Sequence, residues 1–341
     1  MQNNYLFKSF VASIFLTLLS ACGGGGGDSS SSSGNSSSST APSTSPQSYN
    51  FGVSQVADST AGVLCSYSYS APNTTVTGNL QSTSVLTCDS NTRSQKANGI
   101  PDHAVGTFPN PNNPNSIGVR AVNWNMTFTP VRKPTSSSYA PSGYAFNGVM
   151  FDPATGGGCP STATSTSACP LVGNSYPWNI EALEPTPTFN FGLDSNNAHP
   201  QPPDGAYHYH GMPTGILTEM NKGTAMTLVG FAVDGFPIYA RYGVTNTGNA
   251  SSSTKVMVSS YQLKSAPSSG RPSTATFPMG TFTQDYSYVA GSGDLDQCNG
   301  RYGATPEFPK GIYQYFITDS YPYIQRCVFG TPSTGVPQAP T

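Results

Sequence analysis

Thirty prolines recur through this chain closely enough to break any long helix. A proline inside a helix removes one hydrogen bond and clashes with the preceding turn, so a helical bundle is disfavoured. Gly and Pro together make up a large share of the chain, although one Gly/Ser block near the N-terminus holds much of the glycine. Nineteen tyrosines and 17 phenylalanines supply aromatic surface for a core, which argues against disorder over most of the 341 residues. Lys+Arg number 14 against 16 Asp+Glu, for a net charge of -2. There is no basic field to neutralise a run of phosphates, and nucleic acid is excluded as a partner. These features predict a mainly β, loop-rich single domain. A β-sandwich or a partly open barrel with few short helices, stapled by disulfides, fits them.

Several runs alternate apolar and polar residues with the period of a strand: Val63 to Tyr69, Val122 to Phe128, Thr227 to Val233, Ile238 to Tyr242 and Gly311 to Thr318. Gly, Pro, Asn or Asp bounds each of them, as turn chemistry requires. Asn179 to Glu184 and Leu217 to Lys222 read as short helices. Thr162 to Ala168 and Asn246 to Thr254 are polar inserts expected to lie in exposed loops.

The first 21 residues read as an address. Lys8 supplies a positive start, and Phe10 to Leu19 is an apolar stretch short for a membrane span. Leu19-Ser20-Ala21-Cys22 resembles the lipobox of bacterial lipoproteins, in which the cysteine is acylated and becomes the mature N-terminus. That resemblance implies lipidation at Cys22 and a membrane as partner through the lipid anchor. Gly23, not Asp, follows Cys22, which favours the outer membrane or cell surface over retention at an inner membrane. Residues 22–48 then form a lipidated, disordered Gly/Ser tether with a reach of roughly 25–30 Å. The globular domain is expected over 49–332, with a frayed tail at 333–341.

With Cys22 assigned to lipid, six cysteines remain: Cys65, Cys88, Cys159, Cys169, Cys298 and Cys327. An even number in an exported chain, without a C-x-x-C pair, favours disulfides over metal thiolates. Fifteen connectivities are open to six cysteines, of which nearest-neighbour pairing is the simplest.

The four histidines carry the most chemistry. They are His103, His199, His208 and His210, all among Pro, Gly, Asn and Asp. If Tyr207 to His210 is extended, His208 and His210 share one face and the two tyrosines share the other. Such an H-x-H pair is a ready chelate for a divalent transition metal, copper or zinc among the candidates. His199 or His103 can supply a third ligand, with Asp204, Asp294 or Asp296 as an oxygen ligand or as a partner orienting a ring. The alternatives are loop histidines packed among tyrosines and metal-free acid–base chemistry. Asp294-Leu295-Asp296 with Asn299-Gly300 partly matches a calcium loop but lacks its spacing and its terminal glutamate; an Asx-turn is the plainer reading.

The segment Ala198-His199-Pro200-Gln201-Pro202, continued by Asp204 to Gly211, resembles the signature of the YHYH-domain proteins. Further stretches resemble that family in order: Asn98 to His103, Phe108-Pro109-Asn110, Asn147 to Pro153 and Gly230 to Tyr239. Gly293 to Arg301, Thr305 to Pro309 and Tyr321-Pro322-Tyr323 continue the match, which spans about 95 to 330. Phe308, where tyrosine is usual, and the Ser/Thr-rich loop at 161–168 depart from the pattern. The resemblance implies a family but no activity.

Three classes of function follow. The first is a membrane-tethered extracytoplasmic protein with a His-based transition-metal site. The second is a metal-dependent or His acid/base hydrolase, although no G-x-S-x-G or H-E-x-x-H motif supports it. The third is a non-catalytic module binding glycans or peptides. A multicopper oxidase is excluded, because four histidines are too few for its copper centres.

Overall fold

In a computed structural model the described residues are 52–54, 63–153, 157–171, 176–184 and 188–337. The expected signal segment, the expected lipidation site Cys22 and the expected tether lie outside them.

Two open sheets make up the body of the molecule. The first has four antiparallel strands, β1 (Tyr67–Pro72), β2 (Gln81–Cys88), β3 (Thr92–Ala97) and β4 (Val122–Thr127), in chain order. The second has eight strands. These are β5 (Gly143–Ala145), β6 (Met150–Phe151), β7 (Ala198–Gln201) and β8 (Ala206–Tyr209). They continue with β9 (Thr227–Ala232), β10 (Pro237–Ala240), β11 (Gly300–Gly303) and β12 (Ile312–Ile317). Their spatial order is β7-β8-β6-β5-β9-β10-β12-β11, with β8–β6 and β10–β12 parallel and the other pairs antiparallel. Among the described residues neither sheet closes on itself, so the architecture is the expected mainly β, open fold, with the two sheets packed face to face and no closed barrel.

The sheets share a core of Tyr67, Leu86, Trp124 and Met126 from one side and Phe146, Leu228, Phe231 and Phe316 from the other. Polar bonds stitch the same interface. Ser84 Oγ donates to the Phe146 carbonyl at 2.5 Å, and Gln95 Nε2 donates to the Ala145 carbonyl at 2.8 Å while its Oε1 accepts from Trp124 Nε1. Arg93, almost wholly buried, lies 4.1 Å from the centre of the Phe231 ring. A second core covers the other face of the large sheet, where Ile100, Phe108 and Ile216 meet Tyr207, Tyr209 and Val229. Strand β9 is therefore buried along its whole length, which explains why its sequence is a nearly continuous apolar run.

Among the described residues there is one α-helix, α1 (Thr214–Met220), where a helix was expected slightly later. The helix expected over Asn179 to Glu184 is absent. Trp178–Asn179 is a short strand, Ile180 bridges to Phe282, and the Glu184 carboxylate accepts the Thr188 and Phe189 N–H groups. Seven residues between Pro177 and Pro185 are too few to offset helix nucleation. The strand expected from Val63 breaks at Ser66, whose φ is +61°. The disulfides are Cys65–Cys88, Cys159–Cys169 and Cys298–Cys327, the nearest-neighbour set.

Candidate metal centre

The edge hairpin β7–β8 carries His199 and His208, and His210 directly follows it. A four-residue turn, Pro202 to Gly205, sets the register so that His199 stands directly opposite His208. His210 lies two residues beyond His208 and projects from the same face. Three imidazoles thus meet through one cross-strand pair and one strand repeat.

Their Nε2 atoms converge, His208 to His210 at 3.0 Å and His210 to His199 at 3.2 Å. The opposite side of each ring is tied to a main-chain carbonyl. His199 Nδ1 donates to Phe191 at 2.7 Å, His208 Nδ1 donates to Ala206 at 3.0 Å, and the His210 ring bonds the Asp152 carbonyl. A carbonyl only accepts, so these bonds fix the proton on Nδ1 of His199 and His208 and leave Nε2 as a lone pair. The converging nitrogens therefore cannot satisfy one another as neutral rings; a cation between them can. Imidazole nitrogens about 2.0–2.1 Å from a metal stand about 2.9 Å apart in a facial octahedral set and about 3.3 Å apart in a tetrahedral one. The observed separations fall between those limits. The triad could hold a metal ion.

Burial keeps the rings neutral. Desolvation, with the neighbouring His208 adding to it, lowers His199 to about 3; desolvation lowers His208 to about 4 and pushes His210 well down. The ordinary value of 6.5 describes these rings in an unfolded chain. Below it the unfolded chain takes up protons that the folded protein refuses, so metal-free stability falls as the pH drops from about 6.5 toward 4. The slope is at most about 1.4 kcal/mol per pH unit for each ring. Urea denaturation of chelator-treated protein at pH values from about 8 to 4 measures this. We expect a plateau above about 6.5, and constant stability down to pH 4.5 would contradict it.

The tyrosines of the same strand point to the other face. Tyr207 Oη donates to Asp194 at 2.6 Å and accepts from Asn196. Tyr209 Oη donates to His103 Nε2 at 2.5 Å and accepts from Asn147. His103 is thereby placed away from the triad. Its Nδ1 bonds the Ala104 carbonyl, Tyr209 occupies its other nitrogen, and Gly215 of α1 packs against its ring so closely that a Cβ there would lie 2.3 Å from it. The strand alternation that unites His208 with His210 separates both from His103.

The acids expected near the site are engaged elsewhere. Asp204 sits in the hairpin turn and pairs with Arg120 at 2.8 Å. Asp294 holds Lys255 and the Val258 N–H. Asp296 accepts from Tyr313 Oη and from the Cys298 and Gly300 N–H groups, an Asx-turn and not a cation loop. The carbonyls of Phe191, Ala206 and Asp152 orient the rings in their place. As main-chain atoms they leave no side-chain signal in the sequence.

A tris-histidine centre on the edge hairpin of an open, disulfide-stapled β-sandwich is the class of protein that this fold and site define. Residues 123–330 match the family model described as YHYH protein, and the chain belongs to that family. The match takes in the hairpin and the triad, and begins after the Asn98 to His103 and Phe108 to Asn110 stretches. No curated protein and no solved structure matches the chain.

Proposed function

We propose that this chain is a membrane-tethered extracytoplasmic protein that holds a divalent transition metal, copper or zinc, on His199, His208 and His210. The observation that carries the reading is the convergence of three Nε2 lone pairs, His210 standing 3.0 Å from His208 and 3.2 Å from His199, in rings tied behind to main-chain carbonyls. Three neutral donors retain the ion's full charge, and such a set suits copper and zinc. The disulfides fit an oxidising compartment, and the Leu19 to Cys22 box supports a lipid anchor.

The His acid/base form of the hydrolase reading has less support. Asp204 is bound to Arg120 rather than to His208 or His210, so the acid–base pairing it needs is not formed.

Elemental analysis of the purified chain tests the metal. Close to one equivalent of copper or zinc is expected, removable by chelator. Failure to bind either ion near stoichiometry after reconstitution at neutral pH would sink the reading. Mass spectrometry of the mature N-terminus tests the anchor, with acyl mass expected on Cys22; a mature chain beginning elsewhere would remove it.

A further inference from the structure

A cleft of about 700 Å³ opens beside the triad, a volume typical of small-ligand sites. Two of its lining residues also hold the histidines. The Phe191 carbonyl accepts from His199, and the Asn197 carbonyl accepts the main-chain N–H of His210 at 2.8 Å.

The backbone around the cleft is unusual. Seven described residues other than glycine have positive φ, and Asn197 (+54°), Arg241 (+59°) and Tyr323 (+59°) line this one cleft. Arginine and tyrosine seldom adopt that conformation, and such outliers concentrate where a side chain must be aimed. Arg241 breaks out of β10 and pairs with Asp319 at 2.9 Å. Both side chains are more than a third exposed, so the pair contributes little to stability. The Arg241 Nε–H is buried without a partner among the described residues.

We propose that the cleft binds a neutral, hydroxyl-rich ligand, an oligosaccharide. A guanidinium beside a carboxylate sets donors and acceptors side by side, and neighbouring sugar hydroxyls, each both donor and acceptor, match that array. Asn190, which accepts the Gly192 N–H, and Asn197, which donates to the Met212 carbonyl, add amides that keep further donor and acceptor capacity. The half-buried rings of Phe189 and Tyr323 supply apolar faces for the C–H side of a pyranose. Behind Tyr323, outside the lining, the buried Tyr321 packs edge-on against it and stacks on Tyr286 at 3.9 Å, which backs the ring. An anion would meet the Glu184 and Asp319 carboxyls against the single Arg241. Among the described residues no sheet strand lines the cleft, so they offer a peptide no sheet edge to extend.

The test uses the full chain as purified, applied to an immobilised panel of linear oligosaccharides of glucose, N-acetylglucosamine, mannose and xylose. The best-retained sugar is then titrated calorimetrically. Arg241→Ala and Asp319→Asn are each expected to weaken binding about tenfold or more, with metal content unchanged. Asp319→Asn alters only an exposed side chain and keeps the fold. Retention of no sugar, retention of peptides alone from a random peptide library, or sugar affinity unchanged in both variants would overturn the proposal.

Discussion

Alanine at His210 is expected to leave the protein folded and without its metal. The ring stands between the other two in the chain of Nε2 contacts, so its loss removes a ligand and both 3.0 and 3.2 Å approaches at once. Affinity should fall by roughly a hundredfold or more, beyond the 10–100-fold typical of losing a residue that only orients a ligand. His208→Ala should do the same, and the double variant should retain no stoichiometric copper or zinc. The informative control is His103→Gln, which removes the imidazole bound to Tyr209 and touches none of the three ligands. It should keep its full complement of metal at some cost in stability. Elemental analysis and competition with a chromogenic chelator give both numbers. If His103→Gln lost metal as completely as His210→Ala, the assignment of ligands to one face of the strand would be wrong.

Asp234→Ala is expected to be the most damaging single substitution away from the histidines. Asp234 is buried in the turn between β9 and β10, and burial raises its carboxyl above the usual range. Its Oδ2 accepts from Tyr315 Oη and from the Gly330 N–H, both at 2.7 Å. Tyr315 Oη in turn accepts the Phe329 N–H at 2.7 Å. One carboxylate thus joins the β9–β10 turn, strand β12 and the C-terminal segment. Removing it strands buried donors and opens a small void, at a cost of about 3–5 kcal/mol. At about 2 °C or more per kcal/mol, the melting temperature should drop by at least roughly 6–10 °C. Asp234→Asn retains an acceptor and should lose clearly less. Calorimetry on the two variants decides it: equal, small losses would mean that the network carries no net stability.

Some of this architecture was legible in the sequence because its inward-facing residues are apolar. Val122, Trp124 and Met126 alternate with polar neighbours along β4, and the runs forming β9 and β12 stand out similarly. Strands β2 and β3 escaped the same reading. Their inward positions include Ser82, Ser84, Arg93 and Gln95, polar residues that bond or stack across the sandwich and erase the apolar alternation. At the site, the shared face of His208 and His210 follows from strand geometry alone. The choice between His199 and His103 depended on hairpin register, for which the turn at Pro202 to Gly205 was a countable but unused signal. Asp204 misled because proximity in sequence says nothing about prior partners, and its partner Arg120 lies 84 residues away along the chain. The cleft is assembled from separate loops and has no motif.

All three histidines proposed as ligands fall within residues 199–210, on a single hairpin. Closing so short a span costs little entropy, so the unfolded polypeptide already offers a local chelate. A metal that binds both states stabilises the native one only by the difference between the two affinities. For this protein, tight metal binding and a large metal-induced rise in melting temperature are therefore separate quantities, and the first does not guarantee the second.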